Sequence, residues 1–431
     1  MKAGERPYKA WDATATPAWR VFLTHPLAVT LAVALVYGAS LLLSFGIQNQ
    51  DPRALATIGT RFIQKGGGAS PVIQQDLTRV SPSGYYGFDG QFCYFIAMDP
   101  LHAAPYIDAP ALRYERILYP LAARALALGD PALIPYTLVY VNALAMIAGT
   151  LAIALWLRRR RITSWIALVF GLFPGLFFAF RHDLTEPLGF ALVAWGILAL
   201  GWPRPRLRFV AASVLFALAA LSREATLFIS LPYILRLALP EITRRGWAAK
   251  WPGLLRAGAV LAGSVGPFLI WKVVLYALFG AVLLDAGQYL PFRAPFSGVL
   301  WYWSQITAPG IGNQVYFVVI PGIIATVAVI LALLRWPVGW TPATLALAFN
   351  ALYMCVFLAP QSYIDYSSSG RIQSGVVMAA ILALPVFDRL WRQSRGWFWA
   401  ANALWMAPLW HIALQPMLQG YLSYFHHLIL A

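Results

Sequence analysis

The sequence predicts an all-α fold: a polytopic transmembrane helical bundle of about eleven spans, in a single integral-membrane domain covering residues 1–431. Three observations predict it. Hydrophobic residues make up 60% of the chain and charged residues 11%, and the mean hydropathy is +0.66. Soluble domains are about half apolar and about a quarter charged. Apolar runs of about 18 residues or more, the length that crosses a bilayer, recur from end to end. Finally, the basic residues gather in every second interval between those runs, as cytoplasmic loops do. A β-barrel is disfavoured, because its strands alternate over about ten residues instead of staying apolar throughout.

In order, the spans are expected near 21–45, 131–157, 162–180, 187–202, 208–222, 225–239, 256–283, 314–334, 339–359, 371–387 and 397–417. The first, Val21 to Phe45, exceeds a signal-peptide core and lacks a convincing cleavage site, so it reads as a retained anchor. The pair within 208–239 is short and interrupted by the charged "SRE". With the N-terminus cytoplasmic, the inner segments hold 20 of the 32 basic residues, among them Lys2, Arg20, the run Arg158 to Arg161, Arg244 and Arg395. They hold four acids, Glu5, Asp12, Glu241 and Asp388, so the inner face carries the whole net charge of +16. Lys272 falls within a span. This distribution turns the basic balance away from nucleic acid and towards membrane lipid: the clusters are short loops that meet anionic headgroups. The expected location is a bacterial inner membrane, multi-pass, with a site facing the periplasm.

The outward face carries a long loop at about 46–130, ending in "RYERILYPLAARALALG", which reads as an amphipathic helix lying on the membrane. Next comes the tight turn "FRHDLTEPLGF", and later the segments at about 285–313 and "APQSYIDYSSSGRIQ". "QKGGGAS" lacks phosphate-loop spacing and reads as a flexible turn. Cys93 and Cys355 form neither a disulfide framework nor a zinc cluster. The adjacent His426 and His427 lack ligand spacing and read as interfacial.

Charges near a membrane core are costly and are candidate functional groups by default. Asp89, in "GYYGFDGQFCYFIAMDP", is a candidate general base whose carboxyl partial burial would raise; its alternative role is to cap a helix beginning near Gly90. Gly87 and Gly90 would let the backbone turn to aim it, with Tyr86 and Phe88 as aromatic walls of a sugar cavity and Gln91 as a neutral hydrogen-bond partner. In "RHDLTEP", Asp183 and Glu186, with His182, are candidates to orient an acceptor sugar's hydroxyls or to hold a divalent cation such as Mg or Mn. Capping by Asp183 or Thr185 and anchoring by Arg181 are the structural alternatives. Arg223, Arg371 and Arg181 are candidate ligands of a phosphate, which the planar guanidinium fork matches. Arg371 also opens a helix, whose N-terminus favours anions; an Arg223–Glu224 pair and a positional anchor at Arg371 are the alternatives.

Together the outward groups suit a reaction between a hydroxyl and a lipid phosphate ester. The sequence resembles the GT-C superfamily of integral-membrane glycosyltransferases, and more closely a bacterial group of polytopic proteins associated with cell-surface glycopolymer formation. The resemblance rests on "YYGFDGQFCYFIAMDP", "RILYPLAARALALG", "RHDLTEPLGFALVAWGILAL", "SREATLF" and "GRIQSG", which spread over most of the chain. It implies a polyprenyl-phosphate sugar as donor, a glycan or glycolipid as acceptor, a catalytic acid at Asp89 and a second acidic site at Asp183 and Glu186. The family's adjacent acid pair is absent, since Phe88 and Gly90 flank Asp89, which leaves metal dependence open. The expected function is an inverting glycosyltransferase. Its rivals are a transporter or flippase of lipid-linked sugars, which predicts pseudo-symmetric halves and discontinuous helices, and a non-catalytic scaffold of a glycopolymer assembly complex.

Overall fold

Proline opens the helices of this chain. Pro26, Pro71, Pro110, Pro174, Pro205 and Pro342 each stand in a first helical turn, where a missing N–H costs nothing and the fixed φ suits the helix. The computed structural model describes residues 25–47, 51–242, 247–280, 294, 296–305, 320–335, 338–357 and 366–390. The expected span at 397–417, the inner residues Lys2 to Arg20, Arg244, Arg245, Arg392 and Arg395, and His426 and His427 lie outside them.

Among the described residues the fold is helical, without a strand. Five helices among the described residues are long and apolar enough to cross a membrane: Pro26–Gly46, Ile134–Arg159, Pro205–Ser222, Trp251–Phe279 and Gly370–Leu390. Ser164–Gly171 and Pro174–Arg181 add a sixth if they form one span bent by 47°. The bend falls where Pro174 forces Phe173 out of the helical region, at φ −65° and ψ 122°. Glu186–Ala199, Gly322–Leu333 and Pro342–Phe357 are apolar but short. A helix needs about 20 residues to cross about 30 Å of hydrocarbon, so the described residues hold five or six helices that meet this length.

The core runs between these helices. Glu186–Ala199 packs on Ile134–Arg159 and Pro205–Ser222, and Tyr366–Leu390 packs on Pro342–Leu352 and Pro174–Arg181. Small residues permit the contacts that place the site. A Cβ on Gly175 would stand 2.1 Å from the Gly370 carbonyl oxygen, and one on Gly189 would stand 3.0 Å from Arg223 Cβ. These glycines draw the first turn of Tyr366–Leu390 and the end of Pro205–Ser222 against their neighbours.

Within the segment expected as a loop, about 46–130, residues 51–130 instead form a folded helical cap with its own apolar core, which includes Phe62, Ile73, Phe95, Tyr106 and Tyr119 and continues into Ile134 and Leu138 of the bundle. A buried ion pair ties the cap together. Arg53 donates from Nε to Asp76 Oδ2 at 2.7 Å and from Nη2 to Oδ1 at 2.6 Å, and Tyr94 donates to the same carboxylate. "QKGGGAS" ends the helix Thr60–Gly66: Gly67 takes φ +54°, while Gly66 lies under the Tyr106 ring. The expected amphipathic helix is broken into Pro110–Arg113, a 3-10 turn Tyr114–Arg116 and Leu118–Leu126. Only the last has the expected two-sided character, burying Tyr119 and Ala123 and exposing Leu121 and Leu126. The charged half turns inward because carboxylates and Lys272 await it there. Lys272 donates to the buried Glu115 at 3.0 Å, and Trp271 Nε1 donates to the Tyr114 carbonyl at 2.8 Å. A cation within an apolar helix is thus paired through the cap.

Candidate functional site

Four segments far apart in sequence meet where the cap sits on the bundle. Asp89 lies at the junction before helix Gly90–Met98, Arg113 and Arg116 in the cap, Thr185 and Glu186 at the start of Glu186–Ala199, and Arg223 and Arg371 at helix ends. With Phe92, Cys93 and Leu184 they line one cleft.

Asp89 is aimed by two close backbone approaches. Gly87 has φ +65°, and a Cβ there would stand 2.4 Å from the Thr57 carbonyl oxygen. A Cβ on Gly90 would meet the His182 carbonyl oxygen at 1.9 Å. Asp89 occupies the cap position of its helix, yet its side chain makes no capping hydrogen bond. It reaches Arg113 Nη2 at 3.0 Å and Arg371 Nη2 at 3.5 Å instead.

From there the charges alternate across the cleft. Arg371 Nη1 lies 3.4 Å and Arg223 Nη2 3.3 Å from the same oxygen, Glu186 Oε1. Arg223 Nε is 4.0 Å from Glu224 Oε1, which Arg116 holds at 2.7 Å; the other Glu224 oxygen accepts from Arg116 Nε at 2.9 Å. At the opposite end Arg113 donates to Asp108 at 2.9 and 2.8 Å. Among the described residues the carboxylates of this chain of charges, Asp108, Asp89, Glu186 and Glu224, match the guanidiniums Arg113, Arg371, Arg223 and Arg116 in number. Arg113 and Phe88 add aromatic contacts: Arg113 lies 4.4 Å from the Phe92 ring centre, and Arg371 lies 5.4 Å from that of Phe88.

This setting corrects the expectation that burial raises the Asp89 carboxyl. Burial does act in that direction, but Arg113, then Arg371 and Arg116, outweigh it and hold the group well below the usual carboxylate range. Because the folded value lies below the unfolded one, this pairing stabilises the fold at neutral pH and is lost only as pH falls below the ordinary carboxylate range. Glu224 is held low in the same way, burial being overcome by Arg116 and then Arg223. Burial, with Asp183 nearby, pushes the Cys93 thiol up to about 12, so it lines the cleft as a thiol and not as a nucleophilic thiolate.

Other expected site residues fall elsewhere. Asp183 and Glu186 do not form one acidic site. Asp183 adopts φ +49° and turns away from the cleft, 3.4 Å from the Tyr119 hydroxyl. Burial, only partly offset by Tyr119 and Arg181, keeps it well above the usual range. His182 stacks on Phe178 at 4.0 Å, with Nδ1 3.1 Å from the Phe178 carbonyl oxygen. Arg181 donates to Ser44, so it does not join Arg223 and Arg371. Gln91 is spent on the backbone, accepting from Gly59 N at 3.0 Å and donating to Tyr86 O at 2.9 Å. Tyr86 is exposed and packs against Tyr85 and Arg61. Of the three proposed cavity walls only Phe88 stays by the charges, and Phe92 takes the lining position.

Arg113 and Arg116 were not among the sequence candidates. Their signal was present in "RYER": two arginines and a glutamate within four residues, too dense for one polar helix face. The described residues do not fit a divalent cation. Among the described residues no group of three His, Cys, Asp or Glu side chains is placed to hold one, and each cleft carboxylate already faces guanidiniums. The cleft does offer hydrogen-bond capacity for hydroxyls. Glu186 Oε2 and Thr185 Oγ1 are buried and have no partner among the described residues. No family model matches this chain, and no curated protein or solved structure does so either.

Proposed function

We propose that this protein is an inverting glycosyltransferase that moves a sugar from a polyprenyl phosphate to a glycan or glycolipid on the periplasmic side of a bacterial inner membrane. The supporting observation is the meeting of Asp89 with Arg223 and Arg371 in one cleft at the ends of apolar helices. Arginines suit the phosphate ester, Asp89 the proton, and the unpartnered Glu186 and Thr185 oxygens the sugar hydroxyls. The acceptor oxygen bonds the anomeric carbon as its proton passes to the Asp89 carboxylate. The bond from that carbon to the phosphate oxygen breaks in the same step, and its electron pair leaves with the polyprenyl phosphate. Guanidiniums at that oxygen favour the transition state, in which its charge grows. Eleven spans, a cytoplasmic N-terminus and a GT-C-like bundle complete this reading.

A transporter draws support from the break between Ser164–Gly171 and Pro174–Arg181. Phe173 and Pro174 at that break are apolar and buried, however, and supply no group to bind a substrate. The two readings part in one assay. Purified protein in liposomes is given a panel of labelled sugars on polyprenyl monophosphate, the same sugars on nucleotides, and a glycolipid extract as acceptor. Transfer of label to the acceptor with release of polyprenyl phosphate, from lipid donors alone, is expected. Passage of intact lipid-linked sugar across the bilayer without transfer would favour the transporter and contradict the enzyme.

A further inference from the structure

The chain of charges in the cleft is tight at its ends and loose in its middle. Arg113 and Arg116 hold Asp108 and Glu224 through paired bonds of 2.7–2.9 Å. The contacts of Arg371 with Asp89 and Glu186, and of Arg223 with Glu186, are 3.3–3.5 Å. Charge-assisted bonds ordinarily close to about 2.7–2.9 Å. Through these longer contacts Arg223 and Arg371 share one carboxylate oxygen, Glu186 Oε1. An anion added at Arg371 competes with the carboxylates that already face it.

We infer that a phosphate ester seats between Arg223 and Arg371 by displacing Asp89 from Arg371, so that filling the phosphate seat and freeing the carboxylate are one event. This rests on the reading of the cleft as a phosphate site and adds to it an internal competitor. Asp89 is the carboxylate that yields, because its side chain is 33% exposed and has no helix-cap bond. Glu186 is 1% exposed and fixed in the first turn of its helix. The charged and titratable groups around Asp89 are Arg113, Arg116 and Arg371, with Glu186 beyond Arg371, Cys93 one turn along the helix, and His182, whose carbonyl abuts Gly90. Losing Arg371 leaves Asp89 with Arg113, which Asp108 also occupies. The freed carboxylate then binds a proton more strongly and is a better base. While paired with Arg371 it is held back, which keeps the acceptor from being activated before a donor binds.

Such coupling is reciprocal: if the phosphate raises the proton affinity of Asp89, ionised Asp89 weakens phosphate binding by the same factor. The probe is citronellyl methyl phosphate, a short polyprenyl phosphodiester that does not itself titrate near pH 7. It is titrated calorimetrically at pH 7 into purified wild-type, Asp89→Asn and Asp89→Ser proteins. Both variants are expected to bind roughly tenfold more tightly, the equivalent of one pKa unit of coupling. Equal or weaker binding by Asp89→Asn overturns the inference while the phosphate-site reading stands. No saturable binding by wild type overturns both. If Asp89→Asn does not fold, Asp89→Ser decides, and equal or weaker binding by it overturns the inference. Inorganic phosphate, titrated into the wild-type and Asp89→Asn proteins at pH 7, separates headgroup from tail. The same tightening in Asp89→Asn supports exchange at the phosphate alone, and tightening with the lipid ester only supports exchange that also needs the chain.

Discussion

Replacing Asp89 by Asn is expected to lower sugar transfer by roughly 10²–10⁴-fold, the scale of general-base catalysis, while protein accumulates normally. The substitution keeps size and hydrogen-bonding capacity but cannot accept the acceptor's proton. The geometry separates this from a structural role. Asp89 makes no capping bond that Asn would preserve or lose. Arg113 keeps Asp108 and Arg371 keeps Glu186 when the carboxylate is neutralised. Turnover by purified protein at saturating donor, beside thermal unfolding in the same detergent, measures both quantities. Wild-type turnover by a folded Asp89→Asn protein would end the assignment. In the wild type the rate should fall at low pH as Asp89 takes up a proton, and that limb should be missing from the residual activity of the Asn variant.

Removing the charge of Arg371 is expected to act on stability and donor use together. Arg371 faces Asp89 and Glu186 at once and lies over the Phe88 ring. In Arg371→Gln the buried Glu186 retains Arg223 alone, and breaking a buried pair from one side typically costs about 3–5 kcal/mol. Arg371→Lys keeps a charge but not the fork that touches two carboxylates. It should therefore fold better than Arg371→Gln, yet raise the donor KM by about tenfold or more, the scale of one lost charge-assisted bond. Donor-dependent kinetics and chemical denaturation of the two variants test this. An unchanged donor KM in a folded Arg371→Lys protein would remove Arg371 from the phosphate seat.

The sequence made the class of fold and the individual charges legible, because an ionised group among apolar runs stands out whatever the tertiary structure. Asp89, Glu186, Arg223 and Arg371 were visible in that way, and the structure brings them to one cleft. What stayed hidden depends on backbone direction. Asp183 and Glu186 stand three apart, yet the positive φ of Asp183 sends one away from the cleft and leaves the other on the arginines. Arg181 likewise reads as a neighbour of the site and instead reaches Ser44 on the first helix. The "RYER" arginines read as the polar face of a surface helix, because their partners Asp89, Asp108 and Glu224 are brought in by other turns of the chain. Gln91 looked like a wall of the cavity, but the fold consumes it in fastening Gly59 to Tyr86. Helix length was less legible than apolarity. Glu186–Ala199 reads as a span from its apolarity, and at 14 residues it is too short to cross alone.

The most direct test of the account is a density map of the protein in a nanodisc with a non-transferable polyprenyl-phosphate sugar analogue. The account predicts phosphate oxygens within about 2.7–3.0 Å of the Arg223 and Arg371 guanidiniums, the anomeric carbon facing Asp89, and Asp89 withdrawn from Arg371. An analogue bound with its phosphate away from both arginines, or with Asp89 still on Arg371 and remote from the anomeric carbon, would contradict it.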